Sequence, residues 1–250
     1  DWADWGYVGV DVFFVTSGFV MWYSTRDRPS GVAGGSDFLR RRILRIFVGY
    51  LPFLALRVMT LAWYNPDVLE GKSVVKSLFL ISRDRNDLYL GISWSLTFEL
   101  LFYFLFAATL LLPRRYLLPS WLVSGAIVGI PFAMGVRYTG WPNTLLSPFV
   151  LEFVAGVVLA ASMDWWVKKR WAWLFVIIML IFVRRGLVAP GNPNNVRVYT
   201  FGIAAVALIA LALRLEHRGR KVGRWWAAGG DGSYAIYLVH IPAIFLFFHW

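Results

Sequence analysis

Residues 94–112 read Trp94-Ser95-Leu96-Thr97-Phe98-Glu99-Leu100-Leu101-Phe102-Tyr103-Phe104-Leu105-Phe106-Ala107-Ala108-Thr109-Leu110-Leu111-Leu112. One charged side chain, Glu99, interrupts an otherwise apolar run. The run is too long for a strand and shows no alternation of apolar and polar residues. At about 1.5 Å per residue it matches the roughly 30 Å thickness of a bilayer's hydrocarbon core. It is a transmembrane helix. Comparable stretches lie on both sides: Gly6–Tyr23, Ile43–Trp63, Leu117–Val136, Pro148–Met163, Trp171–Val183, Val198–Leu213 and Ser233–Trp250. The prediction is an all-α polytopic membrane bundle of about eight spans. Arg184 and Arg185 can snorkel outward to extend the short Trp171–Val183 span. Val74–Ser82 is too short to cross alone and reads as an interfacial or re-entrant piece.

Composition supports this. Of 250 residues, 59% are hydrophobic and 16% charged, against roughly a quarter charged in soluble domains. A soluble domain of this size cannot bury that much apolar surface. The 14 tryptophans and 11 tyrosines suit the two membrane interfaces. The net charge of +11 then belongs to loops that orient helices and meet anionic lipid, not to nucleic-acid binding. If Val74–Ser82 does not span, loops on one side carry 16 basic residues and those on the other 8, which places Ser24–Arg42 and Arg214–Gly232 in the cytoplasm. There is no cysteine, hence no disulfide and no thiolate nucleophile. The three histidines lack metal-ligand spacing, so no metal site is predicted.

Ionisable groups inside spans are functional candidates by default. Asp11 could cap its helix or pair with an arginine. Arg57 could snorkel, and Glu152 could complement the start of its helix. Glu99 shares one helical stripe with Ser95 and Tyr103. A hydroxyl, a carboxylate and a phenol on one stripe belong in a protein interior, either as a site or as a structural ion pair. Arg42 and Arg45 share a face at an expected helix start. Arginine opposes the dipole there, which fits a bound anion or a stop-transfer charge set. In the last span Ser233, Tyr237 and His240 share a face. His240 is a candidate general base or the donor of an interhelical hydrogen bond.

Four segments, in order, resemble the acyltransferase-3 family of integral-membrane acyl-CoA-dependent O-acyltransferases. Gly9-Val10-Asp11-Val12-Phe13-Phe14-Val15-Thr16-Ser17-Gly18-Phe19 is similar to the family's second-helix signature. Phe38-Leu39-Arg40-Arg41-Arg42-Ile43-Leu44-Arg45-Ile46 is similar to its arginine motif. Trp94-Ser95-Leu96-Thr97-Phe98-Glu99, with Phe102-Tyr103, is similar to its Trp-Ser-Leu-x-x-Glu motif. The last is Ser233-Tyr234 through His240-x-Pro242. Three positions depart from the family: Leu100 and Leu101 stand where a second acid and a glutamine often follow the glutamate, and Val48 stands where a proline is common.

The resemblance implies a single transmembrane acyltransferase domain over residues 1–250. It also implies a first helix upstream of Asp1, carrying the family's arginine and catalytic histidine. The implied reaction moves an acyl group, acetyl the expected one, from acyl-CoA to a hydroxyl of a sugar, glycan or glycolipid. Acyl-CoA is a co-substrate and no bound cofactor is expected. By the same resemblance Arg42 and Arg45 hold donor phosphates at the cytoplasmic mouth, and Glu99, Ser95 and Tyr103 serve the histidine or the acceptor. Asp11, Ser17, Trp94, Tyr237 and His240 are further candidates. The expected setting is a bacterial inner membrane, with lipid bilayer and a glycan or lipid-linked acceptor as partners. The rival reading is a transporter or flippase for an anionic lipid or glycan. A purely structural subunit leaves Glu99 and the arginines unexplained.

Overall fold

The computed structural model describes residues 8–169, 172–188, 197–220 and 223–249. Among them there is no strand. The helices are α1 (Val8–Thr25), α2 (Val32–Tyr64), α3 (Val74–Phe79), α4 (Trp94–Leu110), α5 (Leu117–Ala133), α6 (Gly140–Leu145), α7 (Phe149–Ala161), α8 (Met163–Trp166), α9 (Ala172–Val188), α10 (Ile203–His217) and α11 (Arg224–His249). Among the described residues, six helical stretches are long and apolar enough to cross a membrane. They are Val8–Thr25, Val32–Tyr64, Gly91–Leu110, Arg114–Ala133, Gly140–Ala161 and Val198–His217. The other two expected spans correspond to α9, at 17 residues, and to the apolar stretch Tyr234–Ile244 within α11. The expected starts at Gly6 and Trp171 and the end at Trp250 lie outside the described residues. α3 has six residues, about 9 Å of helix, and cannot cross a bilayer.

One boundary differs in a way that changes the chemistry. The stretch expected to be loop up to Arg42 is helical from Val32, so α2 runs for 33 residues. Arg42 and Arg45 therefore sit about 15 and 20 Å into α2, not at its start. The opposition between arginine and helix dipole disappears, because the dipole acts only within the first turn. The loop expected over Arg214–Gly232 is similarly consumed by helix, since α11 begins at Arg224.

The chain forms two compact units. The first comprises Asp1–Gly35 and Ala108–Lys221, the second Ser36–Ala107 and Val222–Trp250. In the first unit α1 lies against α7 at backbone distance. A Cβ at Gly18 would collide with the Phe153 carbonyl, and one at Gly156 with the Val15 carbonyl. Close approach of this kind is how membrane helices gain packing energy where lipid removes the hydrophobic drive. Phe14, Phe149, Phe153 and Trp121 fill the interior beside that contact. Next to Gly18, Phe19 packs with Leu159, Trp166 and Ala210.

In the second unit α2, α4 and α11 pack together. Gly49 leaves room for the Tyr234 ring, and the Tyr234 hydroxyl donates to the Ile46 carbonyl at 3.0 Å. The segment between α2 and α4 folds as a small cap. Lys76 pairs with Asp87 at 2.7 Å, Ser82 donates to the same carboxylate at 2.7 Å, and the Ser73 amide donates to the Asp87 carbonyl at 3.0 Å. Two bonds tie the cap to the helices. The Tyr50 hydroxyl donates to Ser77 O at 2.7 Å and Thr97 Oγ1 to Ser82 O at 2.8 Å.

Candidate active site

The expected stripe on α4 exists. Tyr103 donates its hydroxyl proton to the Glu99 carboxylate, one turn away on the same face. Glu99 is 7% exposed and Tyr103 2%. The Arg42 guanidinium lies over two rings, 5.6 Å from the centroid of Phe38 and 5.7 Å from that of Tyr103. Phe38 meets Tyr103 edge-on at 6.1 Å. Both Arg42 and Arg45 act electrostatically on the Glu99 carboxylate. Glu99 and the two arginines, which the sequence leaves on separate helices, are therefore neighbours. α2 and α4 are antiparallel neighbours. Positions about 15–20 Å into one helix meet positions about 8–14 Å into the other.

This is a buried acid with cations held beside it in an otherwise apolar helix group. Arg42 is half-buried, with its guanidinium held over the two rings. Arg45 is exposed although it faces the same carboxylate. The cluster is thus open on the Arg45 side.

One turn along α4 towards its start, Ser95 Oγ lies 2.8 Å from the Tyr237 hydroxyl. Both hydroxyls also reach the Ile92 carbonyl, Tyr237 at 2.8 Å and Ser95 at 3.3 Å, so either can donate to the other. His240 Nδ1 lies 2.6 Å from the Tyr237 carbonyl in the preceding turn of α11. A carbonyl only accepts, so Nδ1 carries the proton and Nε2 is the acceptor of the neutral ring. The bond is within α11, not between helices as expected. Trp94 is buried, edge-on to Phe98 at 5.9 Å, with the Arg85 guanidinium 5.3 Å from its centroid. The Ser233 side chain lies outside the described residues. Tyr50 and Tyr234 were missed by sequence reasoning. An isolated tyrosine in an apolar run carries no local sign of which partner it will meet.

The remaining candidates fall in the first unit. The Asp11 carboxylate receives Arg197 Nε, at 2.9 Å to each oxygen. Asp11 is fully buried and Arg197 is 4% exposed. Glu152, 2% exposed, is an electrostatic neighbour of both. Arg197 immediately precedes a π-helical turn, Val198–Gly202, where Gly202 lets the chain pass the Glu152 carboxylate. The arginine alternative raised for Asp11 is the one observed. Its partner lies 186 residues away, just ahead of the expected Val198–Leu213 span. Ser17, half-buried on α1, belongs to this unit.

Comparison with known proteins identifies the family. The acyltransferase-3 family, described as an acyltransferase domain, matches residues 2–250. The exopolysaccharide production protein ExoZ of Rhizobium meliloti (strain 1021) is 35% identical over 263 residues, covering 96% of this chain and 77% of ExoZ. The acyltransferase MdmB of Streptomyces mycarofaciens is 30% identical over 276 residues, covering 96% of this chain and 68% of MdmB. No solved structure matches the chain. With a family match over nearly its whole length and helices built to cross a bilayer, the chain belongs to the acyltransferase-3 family and is a multi-pass membrane O-acyltransferase.

Proposed function

We propose that this enzyme transfers an acyl group, acetyl the simplest case, from acyl-CoA to a hydroxyl of a sugar, glycan or lipid-linked glycan in the bacterial inner membrane. The observation that carries the proposal is the convergence of Arg42, Arg45, Glu99 and Tyr103 within the α2–α4–α11 unit, open at Arg45. The name of ExoZ, an exopolysaccharide production protein, supports a glycan acceptor.

In this reaction the acceptor oxygen attacks the thioester carbonyl carbon. The C–S bond breaks, and the hydroxyl proton ends on the CoA sulfur. Guanidinium forks match phosphate oxygens, so Arg42 and Arg45 hold anionic oxygens of the donor. The Glu99–Tyr103 pair orients the acceptor or the base. By the family resemblance that base is a histidine. Ser95 and Tyr237 offer hydroxyls to the acceptor one turn away.

The test uses the full-length protein, a non-hydrolysable acyl-CoA analogue for binding, and CoA release with a glycan acceptor for turnover. Arg42→Ala and Arg45→Ala should weaken donor binding about 10- to 100-fold, the usual loss for a charge-assisted hydrogen bond. Glu99→Gln removes a negative charge beside those arginines. It should leave donor affinity equal or higher while turnover falls on the order of 100-fold. Donor binding lost in Glu99→Gln but intact in both arginine variants would reverse these roles.

A further inference from the structure

Helix α3 presents two unlike faces. Val74, Val75, Leu78 and Phe79 are 62%, 57%, 40% and 56% exposed. They fall within an arc of about 140° at 100° per residue. The opposite face is locked. Ser77 is fully buried, its hydroxyl accepts the Tyr89 amide at 3.0 Å, and its carbonyl accepts the Tyr50 hydroxyl. Leu80, 2% exposed in a left-handed conformation at φ 54, ends the helix and plugs the same side. Ile81, 44% exposed, continues the apolar surface, and the exposed Arg83 and Arg85 follow it.

Five large apolar side chains exposed on the eight-residue segment Val74–Ile81 need an occupant, because a patch of this kind is uncommon on a surface that meets only water. Position along the chain identifies it. The cap is strung between two membrane-spanning helices, α2 and α4, and is tied to both through Tyr50 and Thr97. Tyr50 lies about 21 Å before the end of α2, so α3 lies alongside α2 rather than beyond it. Thr97 is in the first turn of α4, so the cap meets α4 where that helix begins. A short helix with one apolar face, arginines at its edge and a fixed polar underside is built to lie in the plane of a bilayer interface. Arg83 and Arg85 then put positive charge on the side of the anionic lipid surface.

We infer that α3 is an interfacial helix whose Val74–Val75–Leu78–Phe79 face is seated in the headgroup–acyl boundary of the bilayer that α2 and α4 cross. The contact sets the height of the cap, and through Tyr50 and Thr97 the lipid surface is mechanically joined to the two helices that carry Arg42, Arg45 and Glu99.

The test exploits the absence of cysteine. Single cysteines at Val75, Phe79 and, as the reference, exposed Asn86 are spin-labelled in the full-length protein in nanodiscs containing phosphatidylglycerol. Collision with oxygen is compared with collision with water-soluble nickel-EDDA. The oxygen-to-nickel ratio should be several-fold higher at Val75 and Phe79 than at Asn86. An equal ratio at all three positions would put the face in water. Probes at Val75 and Phe79 reached by neither reagent would show that protein covers it. Either result overturns the inference. The labelled side chains point out of the fold, and comparison of CoA release with unlabelled enzyme confirms that the protein is intact. Loss of the proposed donor specificity leaves this result untouched, so the two proposals fail separately.

Discussion

The two units each bury an acid among arginines, and they do it differently. Asp11 is gripped through both oxygens by Arg197, and glycine contacts between α1 and α7 close the helices around it. Glu99 takes a phenol as its hydrogen-bonded partner, while its arginines stack on rings or stand exposed. In the first arrangement the charge is used up inside the fold. In the second, Arg45 stands exposed on an open side of the cluster. Equal burial of two carboxylates therefore does not mean equal function. The geometry of the partner distinguishes a brace from a site.

The sharpest way to break this contrast is Arg197→Ala. It leaves Asp11 and Glu152 facing each other in the interior without their cation. Removing one partner of a buried pair costs about 3–5 kcal/mol, so the variant should lose most of its folded yield in detergent and unfold far earlier in a thermal scan. Glu99→Gln should unfold within about 1 kcal/mol of wild type, because the amide oxygen still accepts from Tyr103. If the two variants are equally unstable, the distinction between brace and site collapses.

A smaller effect sharpens the open cluster. Arg42→Lys keeps the charge but loses the planar stack on Phe38 and Tyr103. Donor affinity should fall about 5- to 20-fold, less than for Arg42→Ala, by titration with the acyl-CoA analogue. Tyr237→Phe removes one hydroxyl from the Ser95–Ile92 arrangement. About 1 kcal/mol should be lost, with KM for the acceptor rising and donor binding unchanged.

The smallest effect lies in the cap. Hydrogen bonds from Lys76 and Ser82 hold the Asp87 carboxyl below the usual carboxylate range. A group lowered in the folded state stabilises above its unfolded value and loses that contribution as pH falls through the folded one. Protection factors of the cap amides, with the intrinsic pH dependence of exchange divided out, should therefore be steady from pH 7 to about 5 and fall below about 4. Asp87→Asn should flatten that response, with under about 1 kcal/mol at stake as for other partly exposed pairs.

Much of this molecule was legible before any coordinates. Long apolar runs dictate helices because a bilayer leaves each backbone N–H and C=O only its own helix to bond with. Ser95, Glu99 and Tyr103 had to share a face, since a 3.6-residue period places i and i+4 together. That Glu99 would seek the interior followed from the expense of exposing it to lipid. The start of α2 at Val32 was hidden because Gly34, Gly35, Ser36 and Asp37 are poor helix formers and read as loop, and tertiary context overrides such local preference. The pairing of Asp11 with Arg197, and the meeting of Glu99 with Arg42 and Arg45, rest on which helices become neighbours and at what height. Helix–helix packing decides that over the whole chain, so residues 186 apart carry no local sign that they will touch.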